Sequence, residues 1–110
     1  MVGRSVVLAF MLAATPALAA GYLSGDKLFE TLAGKTFVWP DKSVSTYAND
    51  GGYRWEATTK LEGTWRVRGN QLCVTYASGT KRCDKFLYSG NELQLENAKG
   101  KRFRAEQVAH

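Results

Sequence analysis

The chain has 110 residues, 45% of them apolar, with fifteen Lys and Arg against ten Asp and Glu, two Cys and a single His at position 110. That is enough apolar material for one small folded domain and too much for a disordered tail. One terminal histidine and two cysteines give little from which to build a metal or acid–base site, so no metal, cofactor or catalytic residue is expected.

Residues 1–19 carry Arg4 as their only charge, then the apolar run Val6 to Ala14, then Ala17-Leu18-Ala19. A basic start, a short apolar stretch and a small-residue cleavage site form the pattern of a secretory signal peptide, with cleavage expected after Ala19 or Ala20. The run is too short for a spanning helix, so no transmembrane segment is expected. Its removal takes Arg4 and no acid, leaving fourteen bases against ten acids in a domain spanning 20–110. A periplasmic or secreted location follows, which takes nucleic acid off the list of partners. The expected partners are a small ligand or an envelope protein, with an anionic envelope surface as a further one.

Ser24 can cap a helix that runs through Leu32 or Ala33, with Asp26 at its positive end and Gly34 at its stop. Leu28, Phe29 and Leu32 form its apolar face, and Leu23 with Leu28 has the spacing of a hydrophobic staple. From Gly34 onward the period changes from helical to alternating. Turn residues arrive every eight to twelve positions, the mark of an all-β sandwich or barrel. Eight strands are expected at 34–39, 43–48, 53–60, 63–68, 71–76, 81–88, 92–96 and 101–106.

Hairpin loop length fixes which residues face each other. Gly69-Asn70 as a two-residue turn puts Trp65 opposite Val74, and Gly90-Asn91 puts Phe86 opposite Leu95. Asp50-Gly51, treated alike, brings Tyr53 to Ala48 and Trp55 to Thr46. Ala98-Lys99-Gly100 as a three-residue loop pairs Phe103 with Leu95. Ala77-Ser78-Gly79, also three residues, pairs Cys73 with Cys83 at a non-hydrogen-bonded position, close enough for a disulfide. Closing so short a ring is worth about 3 kcal/mol of loop entropy, and an oxidising compartment favours it.

These registers put Val44, Thr46, Ala48, Tyr53, Trp55, Ala57, Trp65, Val67, Leu72, Val74, Tyr76, Phe86, Tyr88, Leu93, Leu95, Phe103 and Ala105 on one inner face. Arg54, Arg66, Arg68, Lys81, Lys85, Arg102 and Arg104 fall outside. An up-and-down antiparallel barrel with the helix plugging one end is the most economical closure, with two packed sheets as the rival. The aromatic residues on the inner face favour a filled barrel over one with a ligand cavity. Arg82 and Asp84 break the apolar pattern on that face. They form either a self-satisfied pair at the barrel mouth or, with Tyr76, Trp55 and Tyr53, a ligand site in which Arg82 receives an anionic group.

The runs Leu32-Ala33-Gly34-Lys35-Thr36, Asn49-Asp50-Gly51-Gly52-Tyr53, Gly63-Thr64-Trp65-Arg66-Val67 and Gly69-Asn70-Gln71-Leu72-Cys73, followed by Cys83, resemble small exported bacterial domains of unknown function. The Gly-x-Trp element and the preceding helix are similar to lipocalin-like (calycin-like) barrels, although lipocalins carry theirs on the first strand. Size, disulfide and compartment are similar to those of periplasmic lysozyme-inhibitor barrels, whose Ser-Gly-x-x-Tyr loop is not matched by Ser78-Gly79-Thr80-Lys81-Arg82. These resemblances imply a non-catalytic binding module or, as the alternative, a protein-interaction or inhibitor domain without a small ligand.

Overall fold

The computed structural model describes residues 21–109, so the export segment expected at 1–19 lies outside the described residues. Helix α1 spans Gly25–Leu32 and is followed by β1 (Lys35–Val38), β2 (Val44–Tyr47), β3 (Gly52–Glu56), β4 (Lys60–Arg68) and β5 (Gln71–Tyr76). Then come β6 (Lys81–Ser89), β7 (Glu92–Glu96), β8 (Arg102–Arg104) and β9 (Glu106–Gln107). Every neighbouring pair is antiparallel, in the order β8-β7-β6-β5-β4-β3-β2-β1-β9.

Nine strands stand where eight are expected, because the last one divides at Ala105. Its first half pairs with β7 and its second half with β1, so a single passage of chain nearly closes the barrel. A second seam opens where β6 leaves β5 after Asp84. Tyr22 and Leu23 fill it: Leu23 N–H donates to the Phe86 carbonyl at 2.8 Å, and Tyr22 bridges to Leu87. The Tyr22 hydroxyl donates to Glu96 at 3.0 Å, and Lys85 lies 4.9 Å above its ring. Arg102, and after it Tyr22, hold the Glu96 carboxyl below its ordinary range.

From this seam the chain enters α1, where Leu28 and Leu32 are fully buried against Phe37, Tyr47, Trp65 and Phe86. The helix plugs one end of the barrel. Ser24 takes the expected N-cap position, yet its side chain makes no capping hydrogen bond. Phe29 is half exposed but stacks on Trp65 at 5.2 Å, and the Trp65 indole N–H donates to the Ala48 carbonyl at 2.9 Å.

The Gly69-Asn70, Gly90-Asn91, 77–79 and 98–100 turns give the expected registers, including Cys73 opposite Cys83 and a disulfide between them. The 49–51 turn does not. Gly51 N–H donates to the Ala48 carbonyl and Ala48 N–H to the Gly52 carbonyl, making Asn49-Asp50-Gly51 a three-residue loop. Tyr53 therefore faces Tyr47, and Trp55 faces Ser45. One added loop residue reverses the parity of the strand. Ser43, Ser45 and Tyr47 point inward and are buried, while Val44, Thr46 and Ala48 are not on the inner face. Two further inner-face expectations fail: Ala57 lies in an exposed hairpin, and Tyr88 is exposed at the closed end, while Leu87, outside the core cluster, is buried where Tyr22 bridges to it.

One loop design recurs. At 49–51, 77–79 and 98–100 the third residue is a glycine with φ of +97°, +96° and +83°, whose N–H bonds back across the turn. The 40–42 loop is built alike, but Lys42 holds the left-handed position at +75°. Gly63 is demanding for another reason. It sits between Tyr53 and Tyr76 in the ladder, where a Cβ would stand 2.1 Å from the Thr75 carbonyl oxygen, and the two rings close over it at 6.0 Å. Rings that cover a strand glycine replace the burial it lacks. In urea denaturation of the oxidised protein, Gly63→Ala is expected to lose about 3 kcal/mol by overpacking, whereas Lys42→Gly gains about 1 kcal/mol by relieving its left-handed backbone. Equal effects of the two changes would contradict this reading.

Candidate functional site

The hairpins alternate between the two ends of the barrel. α1 and the 48–51, 69–70 and 90–91 turns close one end, and the 39–43, 57–59, 77–80 and 97–101 hairpins surround the other. At that open mouth lies a cavity of about 470 Å³, where the sequence favours a filled barrel. On the inner wall near this mouth Ser43 and Ser45 carry short side chains, and Gly63 carries none. The large rings Phe37, Tyr47, Trp65 and Phe86 crowd toward the helix instead.

Arg82, Asp84, Tyr76, Trp55 and Tyr53 all line this one cavity. Half-buried Trp39, Trp55, Tyr76 and Phe103 supply its apolar surface, with exposed Leu61 at the rim. Trp39, Ser43, Ser45, Tyr47 and Asn97 also line it, and sequence reasoning did not single them out as site residues. The signal for Ser45 and Tyr47 was present in Gly51, had 49–51 been read like 77–79. A groove of about 680 Å³ at the closed end is lined largely by charged side chains such as Lys27, Glu30, Arg104 and Glu106 and holds none of the five candidates.

Strand alternation puts positions 82 and 84 on the inner face, while Cys83 between them bonds to Cys73 on the outer face. Arg82 donates from Nε to Asp84 Oδ2 and from Nη2 to Oδ1, both at 2.9 Å. Asp84 is 5% exposed, whereas the Arg82 side chain is 47% exposed. The carboxylate is thus sunk in the wall, with its charge met by a guanidinium that still reaches the opening. That bonding, foremost, holds Arg82 more firmly protonated than a free arginine. Two of the five guanidinium N–H groups are used on Asp84, and the rest are available toward Tyr76 and the cavity.

A separate set of polar contacts lies on the wall of the same cavity. The Trp39 indole N–H donates to Ser45 Oγ at 2.9 Å, and Ser45 Oγ bonds the Tyr53 hydroxyl at 3.0 Å. Burial pushes the Tyr53 phenol up to about 12. It pushes Tyr47 well above its ordinary value too, with Tyr53 and Asp84 adding to the shift. At neutral pH these groups offer fixed donors and acceptors rather than a proton to exchange. In an alkaline titration followed by phenolate absorbance, Tyr53 should ionise near pH 12, and Tyr47 should resist until the fold opens. An unfolded tyrosine loses its proton near pH 10, so the unfolded chain holds fewer protons above that value, and stability should fall between about pH 10 and 12. Stability unchanged across that window would contradict the buried phenols.

Among the described residues no helix is long and apolar enough to cross a membrane, and no three His, Cys, Asp or Glu side chains converge as metal ligands. The Cys73–Cys83 disulfide points to an oxidising environment outside the cytoplasm. Comparison of the chain with family models, curated proteins and solved structures gives no match.

Proposed function

We propose that the protein is a non-catalytic binding module, periplasmic or secreted, that holds a small organic ligand in the mouth of its barrel. The observation that carries this reading is the Arg82–Asp84 pair set among rings in an open cavity of ligand size, about 470 Å³. Few convergent polar groups in an apolar cup are what orient a small molecule. The chemistry of the wall supports binding over turnover: its shifted phenols and its guanidinium stay protonated at neutral pH, and the Asp41 carboxylate beside the Ser43 hydroxyl also accepts from the Ser43 amide and is held below its ordinary range, which makes it a turn-closing acceptor and a weak base. The disulfide supports the compartment, as does the signal-like segment read from the sequence.

Native mass spectrometry of protein purified from its own compartment is expected to show a near-equimolar small molecule, and adding that molecule back to stripped protein should quench the fluorescence of Trp39 and Trp55. Trp55→Ala should lower its affinity by about tenfold through lost ring contact. Protein that carries no small molecule, and instead co-purifies with one stoichiometric envelope protein, would favour an interaction or inhibitor domain.

A further inference from the structure

The two ends of the barrel differ in charge. Lys42, Lys60, Lys81, Lys99, Lys101 and Arg102 lie in or beside the four mouth hairpins, all exposed, against three carboxylates, Asp41, Glu56 and Glu96. All three are engaged: Asp41 accepts from the amide and hydroxyl of Ser43, Glu56 lies 3.7 Å from Lys60, and Glu96 accepts from Arg102 and Tyr22. The closed end reverses the balance, with Asp26, Glu30, Asp50, Glu92 and Glu106 against Lys27, Lys35, Arg68 and Arg104. Lys101 reaches over the cavity wall, its Nζ 5.4 Å from the Phe103 ring. A low-dielectric cup rimmed by one sign of charge concentrates ligands of the other sign. At its wall Arg82 is braced side-on by Asp84, an arrangement that fixes the guanidinium plane and leaves its remaining N–H groups for a second acceptor.

Resting on the reading that the cavity holds a ligand, we infer that this ligand is a small amphipathic anion: a flat apolar body carrying one carboxylate-like group, drawn in by the lysine rim. Trp39, Trp55 and Phe103 cover the body, and Arg82 takes the charge. Asp84 is a positioning residue. A cation meets like charge at the rim and at Arg82, and a neutral ligand gains nothing from the rim.

Calorimetric titration of the intact, oxidised protein with 2-naphthoate, 2-naphthamide and 2-naphthylmethylammonium tests the inference without any substitution. Naphthoate should bind tightest and the amide about tenfold more weakly, as the loss of one charge-assisted contact requires, with the ammonium weaker again. Added salt should weaken naphthoate and leave the amide unchanged. Arg82→Gln should bring naphthoate down to the amide's affinity. The exposed triple variant Lys81→Gln/Lys99→Gln/Lys101→Gln should reduce the salt dependence while preserving the fold. Displacement of naphthoate by phosphatidylglycerol vesicles but not phosphatidylcholine vesicles would assign the anion to a lipid, and no displacement by either would assign it to a free acid. Amide binding as tight as naphthoate would overturn the anion inference and keep the cavity as a site. Failure of all three probes to bind would overturn both.

Discussion

A carboxylate carried into the wall of a small barrel sets the terms for the rest of the molecule. Asp84 is almost wholly removed from water, and a charge in that position is costly unless it is bonded. Strand geometry supplies the partner, because the residue two positions earlier shares its face, and that residue is Arg82. The pair in turn keeps the mouth from closing, since a long cation that still reaches solvent cannot be covered by rings. On the opposite face Cys83 is tied to Cys73, so the strand that bears the pair is fastened to β5 at the rung between its two charged residues. Past Asp84 the two strands part, and Tyr22 and Leu23 fill the seam.

The barrel thereby divides its labour along its axis. Its closed half is packed by α1 and by aromatic contacts such as Phe37 with Tyr47 and Tyr47 with Trp65, which supply apolar burial. Its open half gives up that burial to serines, an ion pair and a glycine covered by two tyrosines. Small domains bury proportionally less of their surface than large ones, so an unfilled half is a substantial concession for a chain of this length. A short disulfide ring, worth about 3 kcal/mol in loop entropy, offsets part of it in the half that needs it.

Much of this was legible in the sequence because tight turns are decoded locally. Gly79 and Gly100 mark three-residue loops, Gly69 and Gly90 mark two-residue ones, and each fixes a register, among them the rung that joins the cysteines and the alternation that puts Arg82 and Asp84 on one face. The Asp50-Gly51 pair gives the wrong register because an Asp-Gly dipeptide suits both a two-residue turn and the end of a three-residue one. The apolar residues Tyr47 and Ala48 before it fit either parity. That ambiguity hides Ser43, Ser45 and Tyr47 from the inner wall, whereas the filled barrel is expected from the inner-face aromatic residues, of which Trp55, Tyr76 and Phe103 line the cavity rather than fill it. The 40–42 loop falls between the strands expected at 34–39 and 43–48, but it carries a lysine where its sister loops carry glycine, so nothing local marks its register. The break at Ala105 and the loss of Tyr88 from the interior come from the way the barrel closes on itself, which no local pattern encodes.

Replacing both members of the ion pair at once separates a functional charge from a structural one. An Arg82→Met/Asp84→Val chain stays close to the volume of the wall and removes its only buried charge among the described residues. If the pair is kept for binding, urea denaturation should find this chain within about 1 kcal/mol of the parent, or more stable, with its affinity for naphthoate gone. A loss of several kcal/mol with naphthoate affinity intact would show that the two charges hold the barrel together and that the mouth is not a site.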